Sequence, residues 1–232
     1  MKAAFLLLLG ALLLIGCGVG SEAQTTMTPE SQLTLLALGD SYTIGQGVAV
    51  SERWPVQLAA ALREQGIAIG EPEIIARTGW TTAELLAAIE DSYGGETYDL
   101  VSLLIGVNDQ FRGYSVAEYQ EKFKVLLNVA IAAAGGRSDH VIVLSIPDWG
   151  VTPFGEGSDR ENISAEIDAF NAVNRAQSLA AEVRYVDITP ATRPPVLDTA
   201  MLVDDGLHPS GAMYALWVDL ALPVVVEMFA GE

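Results

Sequence analysis

The run Gly39-Asp40-Ser41-Tyr42-Thr43-Ile44-Gly45-Gln46-Gly47 puts a serine in a tight, glycine-flanked turn directly after an apolar stretch. A hydroxyl carried on a turn at a strand end is exposed where a nucleophile must be. Two other readings fit the same nine residues. Gly-Asp-Ser forms plain turns, because Asp and Ser side chains bond their own backbone. Glycine-rich loops also cradle phosphates, but this one lacks the G-x-x-x-x-G-K-[ST] pattern and holds no lysine.

A serine hydroxyl is a weak nucleophile near neutral pH and needs a general base. The chain has two histidines, His140 and His208. His140 opens an apolar run, which in a parallel sheet sets it at the opposite end from Ser41; it reads as a solvated or capping residue. His208 stands in Asp204-Asp205-Gly206-Leu207-His208-Pro209-Ser210. The D-x-x-H spacing lets the Asp205 carboxylate fold back onto the Nδ1–H of His208. That bond would fix the tautomer and stabilise the imidazolium formed when Nε2 takes a proton. Asp-Gly and His-Pro are also what a simple turn uses.

Attack on a carbonyl further needs donors for the developing oxyanion. Asn108, in Gly106-Val107-Asn108-Asp109, offers a side-chain amide. Gly79, in Arg77-Thr78-Gly79-Trp80, lets a backbone N–H approach closely. Both segments equally have the composition of strand-to-helix turns. Asp40 and Asp109 read as scaffolding that bonds nearby backbone. Trp80, Phe111, Trp149 and Phe154 lie in or beside the same loops, as acyl-pocket lining or as core and rim.

Such loops need a frame, and the chain supplies one. From Leu33 onward, short apolar runs alternate with longer amphipathic stretches. The runs are Leu33–Leu38, Glu73–Ala76, Leu100–Ile105, Val141–Ile146 and Val183–Val186. Each is rich in Leu, Ile or Val, and all but Glu73–Ala76 are followed directly by Gly, Pro or Asp, as buried parallel strands are. Helices are expected near Pro55–Gln65, Thr82–Asp91, Val116–Ala134, Ile163–Ala181 and Met213–Phe229, with capping boxes at Thr81/Glu84 and Ser115/Glu118. Pro223 should kink the last helix or end its first half. The alternation predicts one α/β domain, a three-layer α/β/α sandwich around a parallel five-stranded sheet. Ligands of such sheets sit beyond the strands' carboxyl ends, where the four loops fall.

Composition agrees. The 232 residues are 50% hydrophobic and carry a net charge of −18, which excludes wholesale disorder and argues against nucleic acid as a partner. A single cysteine supplies neither a disulfide framework nor a thiolate zinc site. That cysteine follows Met1-Lys2 and an apolar stretch, Ala3 to Ile15, too short to span a bilayer. The segment Leu14-Ile15-Gly16-Cys17 resembles the bacterial lipobox; an ordinary secretory signal with an incidental Cys17 is the other reading. The lipobox resemblance implies a signal peptide over 1–16 and lipidation at Cys17. A flexible polar tether then spans 17–32, with the folded domain over 33–232. The protein would be exported to the cell envelope and touch a bacterial membrane through its lipid anchor.

Four ordered blocks, Gly39-Asp40-Ser41, Gly79, Gly106-Val107-Asn108-Asp109 and Asp205-Gly206-Leu207-His208, together resemble the SGNH hydrolases, the GDSL-type esterase and lipase family. Tyr42 stands where many members have leucine, a position without chemistry of its own. The resemblance implies a flavodoxin-like sheet, with Ser41 as nucleophile, His208 as base and Asp205 as its orienter. The Ser41 N–H, Gly79 N–H and Asn108 amide would form the oxyanion hole, with no metal or organic cofactor. The expected activity is hydrolysis of small acyl or carbohydrate O-acetyl esters. Lysophospholipase or thioesterase action, or non-catalytic glycan binding, are the alternatives.

Overall fold

The structure, a computed structural model, describes residues 32–194 and 198–230. Met1–Gly16, Cys17 and all but the last residue of the expected tether lie outside the described residues.

Five strands form one sheet: β1 (Leu35–Gly39), β2 (Glu73–Ala76), β3 (Leu100–Leu104), β4 (Val141–Leu144) and β5 (Arg184–Val186). Their order is β2-β1-β3-β4-β5 and every pair is parallel. Sequence explains the order. The strands LLALG, LVSLL and VIVL are buried at every position and take the centre. EIIA and RYV carry charged, partly exposed residues and take the edges.

The helices are α1 (Ser41–Ile44), α2 (Trp54–Glu64), α3 (Thr82–Ser92), α4 (Val107–Phe111), α5 (Val116–Ala133), α6 (Arg160–Ala180), α7 (Thr189–Thr192) and α8 (Gly211–Phe229). They pack as two groups, α2 with α8 and α5 with α3 and α6, giving the expected three-layer α/β/α sandwich. Trp54, Leu58, Leu62, Tyr214 and Trp217 are fully buried on α2 and α8. In the other group Tyr119 of α5 stacks on Phe170 of α6 with centroids 4.5 Å apart. Both expected capping boxes form, Thr81 with Glu84 and Ser115 with Glu118.

Two expectations need correcting. Pro223 does not end the last helix, because α8 runs unbroken from Gly211 to Phe229. A mid-helix proline costs about 3 kcal/mol. Met213, Trp217, Ala221, Val225 and Met228 are buried on both sides of it, and each large buried side chain returns about 1.5–3 kcal/mol. Nor is His140 solvated. It sits at the amino end of β4, 4% exposed, with Nδ1 2.8 Å from the Asp99 carbonyl oxygen.

The register positions the site. Gly39, at the end of β1, pairs with Ala76 at the end of β2 and with Leu104 at the end of β3. The chains leaving these three strands therefore emerge side by side. Strand order reverses there too, β2 lying on one side of β1 and β3 on the other, which opens a crevice at the carboxyl ends.

Candidate active site

Gly39 is fixed by crowding. A Cβ there would collide with the Thr43 hydroxyl and the Leu104 carbonyl. Asp40 then caps α1, its Oδ1 accepting the Tyr42 N–H at 3.0 Å, which sets Ser41 at the first helical position. Burial pushes the Asp40 carboxyl up to about 8; the Tyr42 N–H opposes this and the Asp109 charge adds to it. The scaffolding expected of Asp40 is visible in these contacts.

The imidazole arrives from the far end of the sequence. The Val203 N–H donates to the His208 carbonyl at 2.9 Å, and Leu202 bridges Pro209, closing a small loop ahead of α8. Within it Asp205 accepts the N–H groups of Leu207 and His208, each at 2.9 Å. Its other oxygen lies 2.6 Å from His208 Nδ1. Burial pulls the Asp205 carboxyl upward, but the His208 ring and these two N–H groups outweigh it and hold it below the ordinary range. His208 is 6% exposed, and the Tyr42 ring lies 5.6 Å from it, centroid to centroid. Tyr42, chemically idle in the sequence reading, is thus packed between the imidazole and Trp217.

Gly106 leads from β3 into α4, whose consecutive side chains go to different places. Asn108 Nδ2 donates to the Trp80 carbonyl at 2.9 Å, leaving its second N–H for a ligand. Asp109 accepts the Thr82 N–H at 2.9 Å and its hydroxyl at 2.6 Å, anchoring the start of α3. Between β2 and α3, Gly79 adopts φ +84°, a left-handed conformation suited to glycine. Among the described residues, no hydrogen bond of the protein occupies the N–H of Ser41 or of Gly79.

Ser41, Gly79, Asn108 and His208 line one cavity of about 160 Å³. All four belong to the expected set, and Asp205 stands behind His208. Among the described residues, no hydrogen bond joins the Ser41 hydroxyl to His208; such bonds often close only with substrate bound. Val107, Phe111, Trp149, Phe154 and Leu207 make the remaining wall apolar. Three of the four candidate aromatics therefore reach the cavity, with pairwise ring separations of 5.4, 5.9 and 6.3 Å. Trp80 does not; it packs against the core.

The sequence reading missed Gln110. Its Oε1 accepts the Trp149 indole N–H at 2.7 Å, and its Nε2 donates to Glu166 at 2.7 Å. Only its place between Asp109 and Phe111 hinted at a role. Among the described residues, no group of three or more His, Cys, Asp or Glu side chains is arranged to hold a metal ion.

Comparison with known proteins agrees with this geometry. No curated protein is significantly similar in sequence. Among solved structures, TesA superposes with a TM-score of 0.66 at 23% identity, covering 84% of this chain and 99% of its own. The lipase/acylhydrolase from Enterococcus faecalis gives 0.64 at 24%, covering 85% and 96%. Axe2, an acetylxylan esterase from Geobacillus stearothermophilus, gives 0.63 at 20%, covering 86% and 95%. At these identities the likeness is one of fold. The family model of the GDSL-like lipase/acylhydrolases matches residues 37–216, from β1 into α8 and so across all four blocks. The chain belongs to the GDSL-like lipase/acylhydrolase family.

Proposed function

We propose that this carboxylic ester hydrolase works by two-step acyl transfer through Ser41. The Ser41 hydroxyl attacks an ester carbonyl while His208 Nε2 accepts its proton, and Asp205 holds the ring in the required tautomer. Negative charge collects on the carbonyl oxygen, where the N–H groups of Ser41 and Gly79 and the Asn108 amide stabilise it. His208 then gives the proton to the departing alcohol. A water molecule, deprotonated by the same imidazole, releases the acid and restores Ser41. The steps need no metal or organic cofactor.

One observation carries the reading: four segments far apart in sequence meet at one cavity, with the Asp205–His208 pair at 2.6 Å behind it. A fluorophosphonate probe should label wild-type Ser41 and leave Ser41→Ala unmodified. Absence of labelling would favour a glycan-binding protein without catalysis.

For substrate we favour small acyl or carbohydrate O-acetyl esters. The small cavity supports this, as does the shared fold of an acetylxylan esterase. A second reading, cleavage of longer acyl esters or thioesters, is favoured by the wall of Phe111, Trp149 and Phe154. Hydrolysis rates on p-nitrophenyl esters of rising chain length, alongside acetylated xylan, separate the two. We further infer lipid attachment at Cys17 and residence in the cell envelope. Labelling by radioactive palmitate that disappears in Cys17→Ser supports this; labelling that persists refutes it.

A further inference from the structure

Gly79 lies in a turn between β2 and α3 that is closed locally only by the Trp80 N–H donating to the Arg77 carbonyl at 3.2 Å; its other bonds come from elsewhere. Glycine adopts many backbone conformations, and a glycine that must present its N–H one way needs an outside constraint. The Trp80 carbonyl is held by Asn108 and the Thr82 N–H by Asp109. The Gly79 carbonyl is held by a residue outside the four blocks. Arg112, just after α4, donates from Nη2 to Gly79 O at 2.6 Å.

We infer that Arg112 is a positioning residue for the oxyanion hole, fixing the Gly79 turn whose N–H meets the oxyanion. This rests on the acyl-transfer reading of Ser41.

The guanidinium is well placed for the task. Nη1 and Nη2 lie 3.3 and 3.2 Å from the two Glu84 carboxylate oxygens while Nη2 also reaches Gly79. Glu84 is itself anchored, accepting the Thr81 N–H at 2.8 Å. Arg112 therefore spans two acceptors at fixed separation, the first turn of α3 and the loop before it. A planar, forked cation does this; a lysine ammonium on a flexible stem does not hold both. On the other side of Gly79 the Thr78 hydroxyl bonds Gln46, tying the loop to the segment after Ser41. Arg112 keeps 41% of its side chain exposed, so its ion pair adds little to folding stability.

The test compares wild type, Arg112→Ala, Arg112→Lys and Arg63→Ala in steady-state hydrolysis of p-nitrophenyl acetate. Arg63 pairs with Glu71 at 3.0 Å with a side chain 36% exposed and controls for loss of a surface ion pair. Arg112→Ala should lower kcat about ten- to a hundredfold with KM changed by less than about twofold. Affinity for an arylboronic acid, which forms a tetrahedral anion on Ser41, should fall by a similar factor. Arg112→Lys should have an intermediate kcat, and Arg63→Ala should match wild type. Unchanged kcat in Arg112→Ala, or a rise in KM alone, overturns the inference. If the alanine variant does not fold, parity of Arg112→Lys with wild type overturns it equally. Fluorophosphonate labelling of wild type keeps the two claims apart. Failure to label sinks the acyl-transfer reading, whereas labelling with an unaffected Arg112→Ala sinks only the positioning role.

Discussion

Asp205 grips His208 twice, one carboxylate oxygen taking the backbone N–H at 2.9 Å and the other lying 2.6 Å from ring Nδ1. The backbone bond fixes where the ring starts and the ring bond fixes how it turns. One short loop thus sets both position and tautomer, without help from a distant strand.

Replacing Asp205 by Asn separates these functions. The amide oxygen can still accept the backbone N–H groups, but an N–H then faces Nδ1 and forces the proton onto Nε2. An imidazole protonated at Nε2 cannot accept a proton from Ser41. Activity on p-nitrophenyl acetate should fall by about four orders of magnitude, with His208→Ala losing more. Near-wild-type kcat in Asp205→Asn would show that Asp205 does not orient the base.

Asp40 makes stability depend on pH in an unusual direction. Its carboxyl titrates near 3.8 when unfolded and near 8 when folded. Between those values the folded chain binds the extra proton, so stability falls as pH rises across the window and levels off above it. Asp205, held low when folded, acts oppositely: its contribution is present above the ordinary Asp range and is lost on acidification. Asp40→Asn carries no such proton while its amide oxygen can still cap α1. Urea denaturation at pH 5 and pH 8 should show the variant gaining on wild type at the higher pH. A gap that stays constant with pH falsifies the assignment.

Asn108 bonds Trp80 with one N–H and, in the proposed mechanism, keeps another for the oxyanion. Asn108→Ala should lower kcat by two to three orders of magnitude, the cost of one oxyanion donor. KM and circular dichroism should stay close to wild type. A loss confined to KM would place Asn108 in ground-state binding instead.

Phe111 and Phe154 expose 56% and 48% of their surface at the mouth of the cavity, against Trp149. If they grip the acyl chain, Phe111→Ala should reduce kcat/KM for p-nitrophenyl butyrate about tenfold more than for the acetate. Equal losses on both esters would mean that the rings do not sense the chain.

Trp217 is fully buried on α8, 6.1 Å from the Tyr42 ring and 5.1 Å from that of Tyr214. Trp217→Ala should destabilise the fold by about 3–5 kcal/mol in urea denaturation. A change below about 1 kcal/mol would mean that α8 is not held by this contact.

The frame was legible because its signals are local. Runs such as Leu100–Leu104 are apolar throughout, and Ser115 with Glu118 declares a helix start. Ser41 and Asn108 stand just past the ends of such runs, and His208 is marked instead by its D-x-x-H spacing from Asp205. The short helices α1 and α4 look like loops in the sequence, since four or five residues are too few to show helical periodicity. The Gln110–Trp149 bond crosses 39 residues and the Arg112–Gly79 bond 33, and no spacing rule reports either. Pro223 does not end α8 because the burial on either side of it, which propensity alone cannot weigh, holds the helix together.

Asn108 to Phe111 of α4, with Arg112 behind them, send successive side chains to the cavity and Trp80, the start of α3, Trp149, the cavity mouth and the Gly79 turn. Each residue in a helix is rotated about 100° from its neighbour. Adding or deleting one there would swing every later side chain to the wrong address at once. A substitution in this segment changes one contact, whereas a change in its length displaces every contact that follows.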